Sequence, residues 1–170
     1  MSKKPVVGIL MGSDSDFEVM QEAGKSLKGF DIPFEMMVTS AHRTPEKTHK
    51  YTQSAVERGI KVLIVGAGAA AHLAGVVAAS TPLPVVAIPL SATDLKGMDA
   101  LLSTVQMPGG IPVACMAIGK AGAKNAGIYA ARILALSDAA LAQKLTQFSL
   151  DMAAAVEKKD QALQLRLADL

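Results

Sequence analysis

The stretch Val62–Thr93, VLIVGAGAAAHLAGVVAASTPLPVVAIPLSAT, carries no Asp, Glu, Lys or Arg. Hydropathy alone would flag it as a membrane span. It also holds Gly66, Gly68, Gly75, Pro82, Pro84 and Pro89. Glycine and proline at those places divide it into strand, turn, helix, turn and strand, each too short to cross a bilayer. That reading decides the fold, because the chain on either side follows the same alternation.

Five apolar runs read as strands: VVGILM (6–11), FEMMV (34–38), KVLIV (61–65), PVVAI (84–88) and VACMAI (113–118). They are nearly continuous rather than alternating, the pattern of strands covered on both faces. Helical patterns separate them. Phe17–Gly29 follows a Ser15-x-x-Glu18 capping box, and Pro45–Arg58 has Thr44 at its N-cap and Pro45 at its first position. Further helices are expected over 70–79, 96–105 and 120–136, and the tail from Asp138 to about Leu167 reads as one long helix or two. The expected fold is α/β: a three-layer αβα sandwich on a parallel five-stranded sheet, flavodoxin-like, with a C-terminal helical tail. It forms a single catalytic domain over 1–170, with the core at about 5–137 and the tail at about 138–170.

The totals narrow the function. At 170 residues, 51% hydrophobic and 4% aromatic with no Trp, the core must be built from Ala, Val, Ile, Leu and Met. A net charge of +2, with no basic run interleaved with aromatics, points away from nucleic acid. A lone Cys115 excludes an intramolecular disulfide framework and fits a reducing compartment. MSKKPVVGILMG resembles a short leader, but Asp14 and Asp16 follow the apolar run, so a first strand is expected instead. The protein reads as soluble and cytoplasmic, with no membrane partner.

In open parallel sheets, ligands bind beyond the carboxyl ends of the strands. Those ends read GSDSD (12–16), SAHRT (40–44), GAGAAAH (66–72) and LSATD (90–94). Arg43 beside a helix start is the chemistry of an anion site, phosphate above all, with Ser13 and Ser40 as hydroxyl donors. Arg43 by itself reads equally well as a surface arginine; its neighbours favour the site. Asp16 can accept hydrogen bonds from a ribose diol, although an acid in a first helical turn is ordinary, and Asp14 takes that plainer reading. His42 lacks metal-ligand spacing to Glu46 or His49. Its place between Ser40 and Arg43 makes it the candidate general acid/base, against the common alternative of a structural histidine.

Other motifs read as structural. GAGAAA (66–71) matches G-x-G-x-x-A, but it follows the third strand and no acid stands about 20 residues on, so a dinucleotide site is not expected. His72 alone reads as a core or hinge histidine, and Cys115 as a buried, inert thiol. QMPGGIP (106–112) is either a flap or a turn.

MGSDSD, SAHRTP, GAGAAAHLAG and QMPGGIPVACMAIGKAGAKNA together resemble, in order over about residues 5–137, the motifs of the PurE family of purine biosynthesis, the N5-carboxyaminoimidazole ribonucleotide mutases. The family usually has glycine where Ala69 stands and proline where Ala74 stands. The resemblance implies transfer of a carboxylate from the exocyclic amine of an imidazole ribonucleotide to a ring carbon, without metal or cofactor. It implies Ser13, Ser40 and Arg43 at the phosphate, Asp16 at the ribose, Gly68 and His72 in the substrate-binding loop, and His42 as acid/base. It also implies a homo-octamer. A related branch carboxylates aminoimidazole ribonucleotide with CO2 directly and typically carries Lys where Arg43 stands, so Arg43 favours the mutase branch. A reading from another class is a non-catalytic, flavodoxin-like nucleotide-binding module, which has no need of His42.

Overall fold

The computed structural model describes residues 4–168. Strands β1 (Val7–Met11), β2 (Phe34–Val38), β3 (Val62–Gly68), β4 (Val85–Leu90) and β5 (Ala114–Cys115) alternate with helices α1 (Phe17–Gly29), α2 (Pro45–Ser54), α3 (Leu73–Ala78), α4 (Met98–Val105) and α5 (Lys120–Ala135), and α6 (Ala139–Ala168) follows. All strand pairs are parallel, in the order β2-β1-β3-β4-β5. This is the flavodoxin-like order expected from the sequence, and the direction in which successive strands are added reverses between β1 and β3.

Side-chain alternation explains the layers. Leu10, Leu63, Val65, Val85 and Ala87 share one buried cluster with Leu73, Ala74 and Val77 of α3. Their strand neighbours point to the opposite face. There a Cβ on Gly66 would fall 2.2 Å from Met20 Sδ of α1. α1 and α5 also meet closely: a Cβ on Gly127 would stand 2.6 Å from the Ala23 carbonyl oxygen, and Ser26 Oγ donates to the Lys124 carbonyl at 3.1 Å. Ile9, Leu10, Leu63 and Ile64 are fully buried, each contributing roughly 1.5–3 kcal/mol of transfer free energy.

Several boundaries differ from the sequence-based expectation. β3 runs on through Gly68, because Gly66, Ala67 and Gly68 continue the ladder against Ile88, Pro89 and Leu90. β5 shrinks to two residues. It is an edge strand paired only with β4, and the nearby Pro112 lacks an amide donor. α2 ends at Ser54 rather than Arg58 and gives way to turns. The expected box of Ser15 and Glu18 does not form. A reciprocal box forms two residues earlier, with the Ser15 amide donating to Ser13 Oγ at 3.4 Å and the Ser13 amide donating to Asp16 Oδ2 at 2.9 Å. Thr44 takes the N-cap position of α2 but makes no side-chain cap; its hydroxyl accepts from the Ser40 amide at 2.9 Å instead.

The chain divides into a sheet unit ending at Ile133 and a helical unit from Leu134. In the second, α6 is one continuous helix of 30 residues, opened by a hydrogen bond from the Leu141 amide to Asp138 Oδ1 at 3.0 Å. Among the described residues, no helix is long and apolar enough to cross a membrane.

Candidate active site

The carboxyl ends of β1, β2 and β3 open into a cleft of about 330 Å³. Gly12, Ser13 and Asp16 line it from the β1 loop, Ser40, His42 and Arg43 from the β2 loop, and Gly68 and Ala69 from the β3 loop. Three segments far apart in sequence converge because β1 lies between β2 and β3.

The Arg43 guanidinium crosses from the β2 loop to the β1 loop and donates to the Gly12 carbonyl at 3.1 Å. Among the described residues no carboxylate forms a salt bridge with it, so its charge remains available to an anion. Its backbone amide donates to Ser40 Oγ at 3.2 Å, which holds that hydroxyl against the Arg43 backbone. Ser13 Oγ is already engaged, donating to Asp14 Oδ1 at 3.1 Å. Asp16 is half-buried. Desolvation raises its carboxyl above the ordinary value, and hydrogen bonds from the Ser13 and Gly12 amides oppose that without cancelling it.

At the edge of the cleft His42 meets His72, which immediately precedes α3. His42 Nε2 lies 2.9 Å from His72 Nδ1, with the rings edge to face and their centroids 5.0 Å apart. One nitrogen must donate and the other accept, so the contact holds only while at least one ring is neutral. His72, which taken alone in the sequence has the character of a core or hinge histidine, is exposed and bonded to His42.

Ala41, Ala67, Ala69, Ala70, Leu73 and Ala92 supply the apolar part of the lining. Periodicity does not mark this lining, since its residues come one or two at a time from loops, a strand end and a helix start. Gly68 has a packing reason to be glycine: a Cβ there would lie 2.5 Å from the Ala92 methyl. GAGAAA forms no phosphate-cradling turn, because Gly66–Gly68 are strand and α3 begins only at Leu73.

Cys115 is a free, partly buried thiol whose pKa is pushed up by burial, in line with an inert role. QMPGGIP is an exposed turn closed by the Ile111 amide on the Pro108 carbonyl at 3.2 Å. Met107 anchors it, within 3.3 Å of where a Gly75 Cβ would stand. Among the described residues there is no cluster of His, Cys, Asp and Glu that could hold a metal ion.

Fold and cleft together define a flavodoxin-like α/β protein with an arginine, clustered serines and a histidine pair at its topological switch point. The chain belongs to the AIR carboxylase family, whose pattern it matches over residues 6–155. It is 52% identical over 164 residues to the N5-carboxyaminoimidazole ribonucleotide mutase of Mycobacterium leprae, covering 96% of this chain and 95% of that one. It is 56% identical over 144 residues to the mutase of the same name from Bacillus subtilis, covering 85% and 89%. Among solved structures it resembles Treponema denticola PurE, with a TM-score of 0.84 and 31% identity over 94% of this chain and 98% of that one.

Proposed function

We propose that this chain is an N5-carboxyaminoimidazole ribonucleotide mutase of purine biosynthesis, an isomerase that moves a carboxylate from the exocyclic nitrogen to a ring carbon. The observation that carries the reading is that His42, hydrogen-bonded to His72, lines one cleft with Arg43 and Ser40, in a chain about half identical to mutases over nearly its whole length.

The residues divide the substrate by chemistry. Arg43, Ser40 and Ser13 take the phosphate, where charge-assisted hydrogen bonds are strongest. Asp16 takes the ribose diol through its carboxylate, and the alanine-lined side, with Gly68 at its edge, receives the imidazole. His42 gives a proton to the exocyclic nitrogen as its bond to the carboxylate carbon breaks, releasing CO2 and aminoimidazole ribonucleotide. The apolar lining keeps that CO2 from water. The ring carbon then attacks CO2, and His42 regains a proton from that carbon as aromaticity returns. The proton count closes, so no external acid is consumed.

The working form we propose is a cytoplasmic homo-octamer. Met98, Leu102 and Val105 follow one another at spacings of four and three along α4, with Leu95 in the turn before it, and all four are exposed in the single chain, a stripe suited to burial against another copy.

Turnover of the carboxyamino substrate without ATP or bicarbonate tests the function. Product formation under those conditions supports the mutase. Product formed from aminoimidazole ribonucleotide and CO2, with none from the carboxyamino compound, would assign the chain to the direct carboxylases instead.

A further inference from the structure

We propose that Ser103 of α4 is a positioning residue for the histidine pair, and that it does this by holding the β3–α3 loop in a strained conformation. The inference rests on the reading of His42 and His72 given above.

Three observations meet in four residues. Ala69 has φ of 54°, in the left-handed region that side-chain-bearing residues occupy at a cost. Two residues on, the amide of the buried Ala71 donates to Ser103 Oγ at 3.1 Å. The next residue is His72, whose Nδ1 meets His42 Nε2. Ser103 Oγ in turn donates to the Ala100 carbonyl one turn back at 3.1 Å, which points its lone pairs at the loop. A loop containing a strained alanine returns to ordinary backbone unless something outside it holds it. The Ser103 hydroxyl reaches the loop from another element and bonds an amide that has no access to water.

Loss of that hydroxyl leaves the Ala71 amide buried and unpaired. The loop then shifts to find another partner, Ala69 relaxes toward negative φ, and His72 moves away from His42. The phosphate and ribose groups, Arg43, Ser40, Ser13 and Asp16, lie on the β1 and β2 loops and are untouched. The imidazole side of the cleft, lined by Ala69 and Ala70, shifts a little with the loop, but the charged anchors stay, so the larger part of the effect belongs to turnover rather than to substrate capture. Replacing Ala69 with glycine, which accepts positive φ freely, weakens the need for the anchor.

The test is steady-state kinetics with N5-carboxyaminoimidazole ribonucleotide on the full-length protein, comparing the parent with Ser103→Ala, Ser103→Cys, Ala69→Gly, the Ala69→Gly/Ser103→Ala double variant and His42→Asn. Ser103→Ala places the best helix former in α4, so the fold persists, and thermal unfolding checks this. Its kcat should fall roughly 10- to 100-fold, as expected for a misplaced catalytic group, with KM little changed. Ser103→Cys, of similar size with a weaker acceptor, should fall between. In the Ala69→Gly background the same serine replacement should cost clearly less. A Ser103→Ala enzyme with parental kcat overturns the proposal, as does a loss carried by KM or an equal loss in both backgrounds. Normal turnover by His42→Asn would overturn the underlying site reading, a failure distinct from these.

Discussion

His42 Nε2 and His72 Nδ1 lie 2.9 Å apart although 30 residues separate them in sequence. One histidine sits on the β2 loop and the other immediately before α3, and the β2-β1-β3 order brings their loops to the two sides of one cleft. A histidine bonded to a second histidine has a partner that can give or take a proton.

Replacing His42 with asparagine keeps the size and a polar tip but removes the basic ring nitrogen needed for proton transfer. Turnover should fall roughly 10²–10⁴-fold, with substrate still bound in calorimetry. The proposed mechanism has one group give a proton in one step and take one in the next, so under it the rate should fall at both pH extremes. Turnover close to parental in the variant would return His42 to a structural role.

Arg43→Ala should weaken the ribonucleotide far more than the dephosphorylated ribonucleoside. The charge-assisted hydrogen bond it removes is worth about 1.5–3 kcal/mol. Equal weakening of the two ligands, measured by titration, would mean that Arg43 does not reach the phosphate.

Asp16 gives a pH signature in stability. Burial raises its carboxyl above the ordinary value of 3.8, so the fold favours the protonated form. That stabilisation is complete below the unfolded value and is lost as pH rises through the raised folded value. Asp16→Asn has no carboxylate to desolvate. Its Tm should exceed that of the parent at neutral pH, and the gap should close as the pH falls through the carboxylate range. Binding of the ribonucleotide should weaken in the same variant. A Tm difference that stays constant from pH 7 to pH 3 would contradict the burial argument.

Assembly is tested through the α4 stripe. Light scattering at micromolar concentration should give the mass of eight chains, and Leu102→Glu should lower it, because a buried unpaired carboxylate disfavours association. Leu102 is exposed in the single chain, so the substitution leaves the protomer's own core intact. A monomer or dimer in the parent would sink the octamer.

Much of the fold is local and therefore legible. Continuous Val, Ile and Leu runs separated by helical patterns fix a parallel sheet covered on both faces, and a sheet of that kind places ligands at the strand ends. Reading only those ends already isolates Ser13, Asp16, Ser40, His42 and Arg43, which the structure gathers into one cleft. Strand limits were harder, because β3 continues through two glycines that propensity alone would assign to a turn. Its partners on β4 supply the reason it continues.

What the sequence could not show is every relationship across loops. His72 has no helical or strand period to mark it, and its bond to His42 exists only because two crossovers set their loops side by side. Nor does the letter alanine disclose a left-handed backbone at position 69, or that Ser103 on a distant helix holds the amide two residues away. Patterns along a chain report which face of an element is buried. Hydrogen bonds between elements depend on distances that are set only once the layers have packed, so the tertiary structure alone decided how the histidine pair is held.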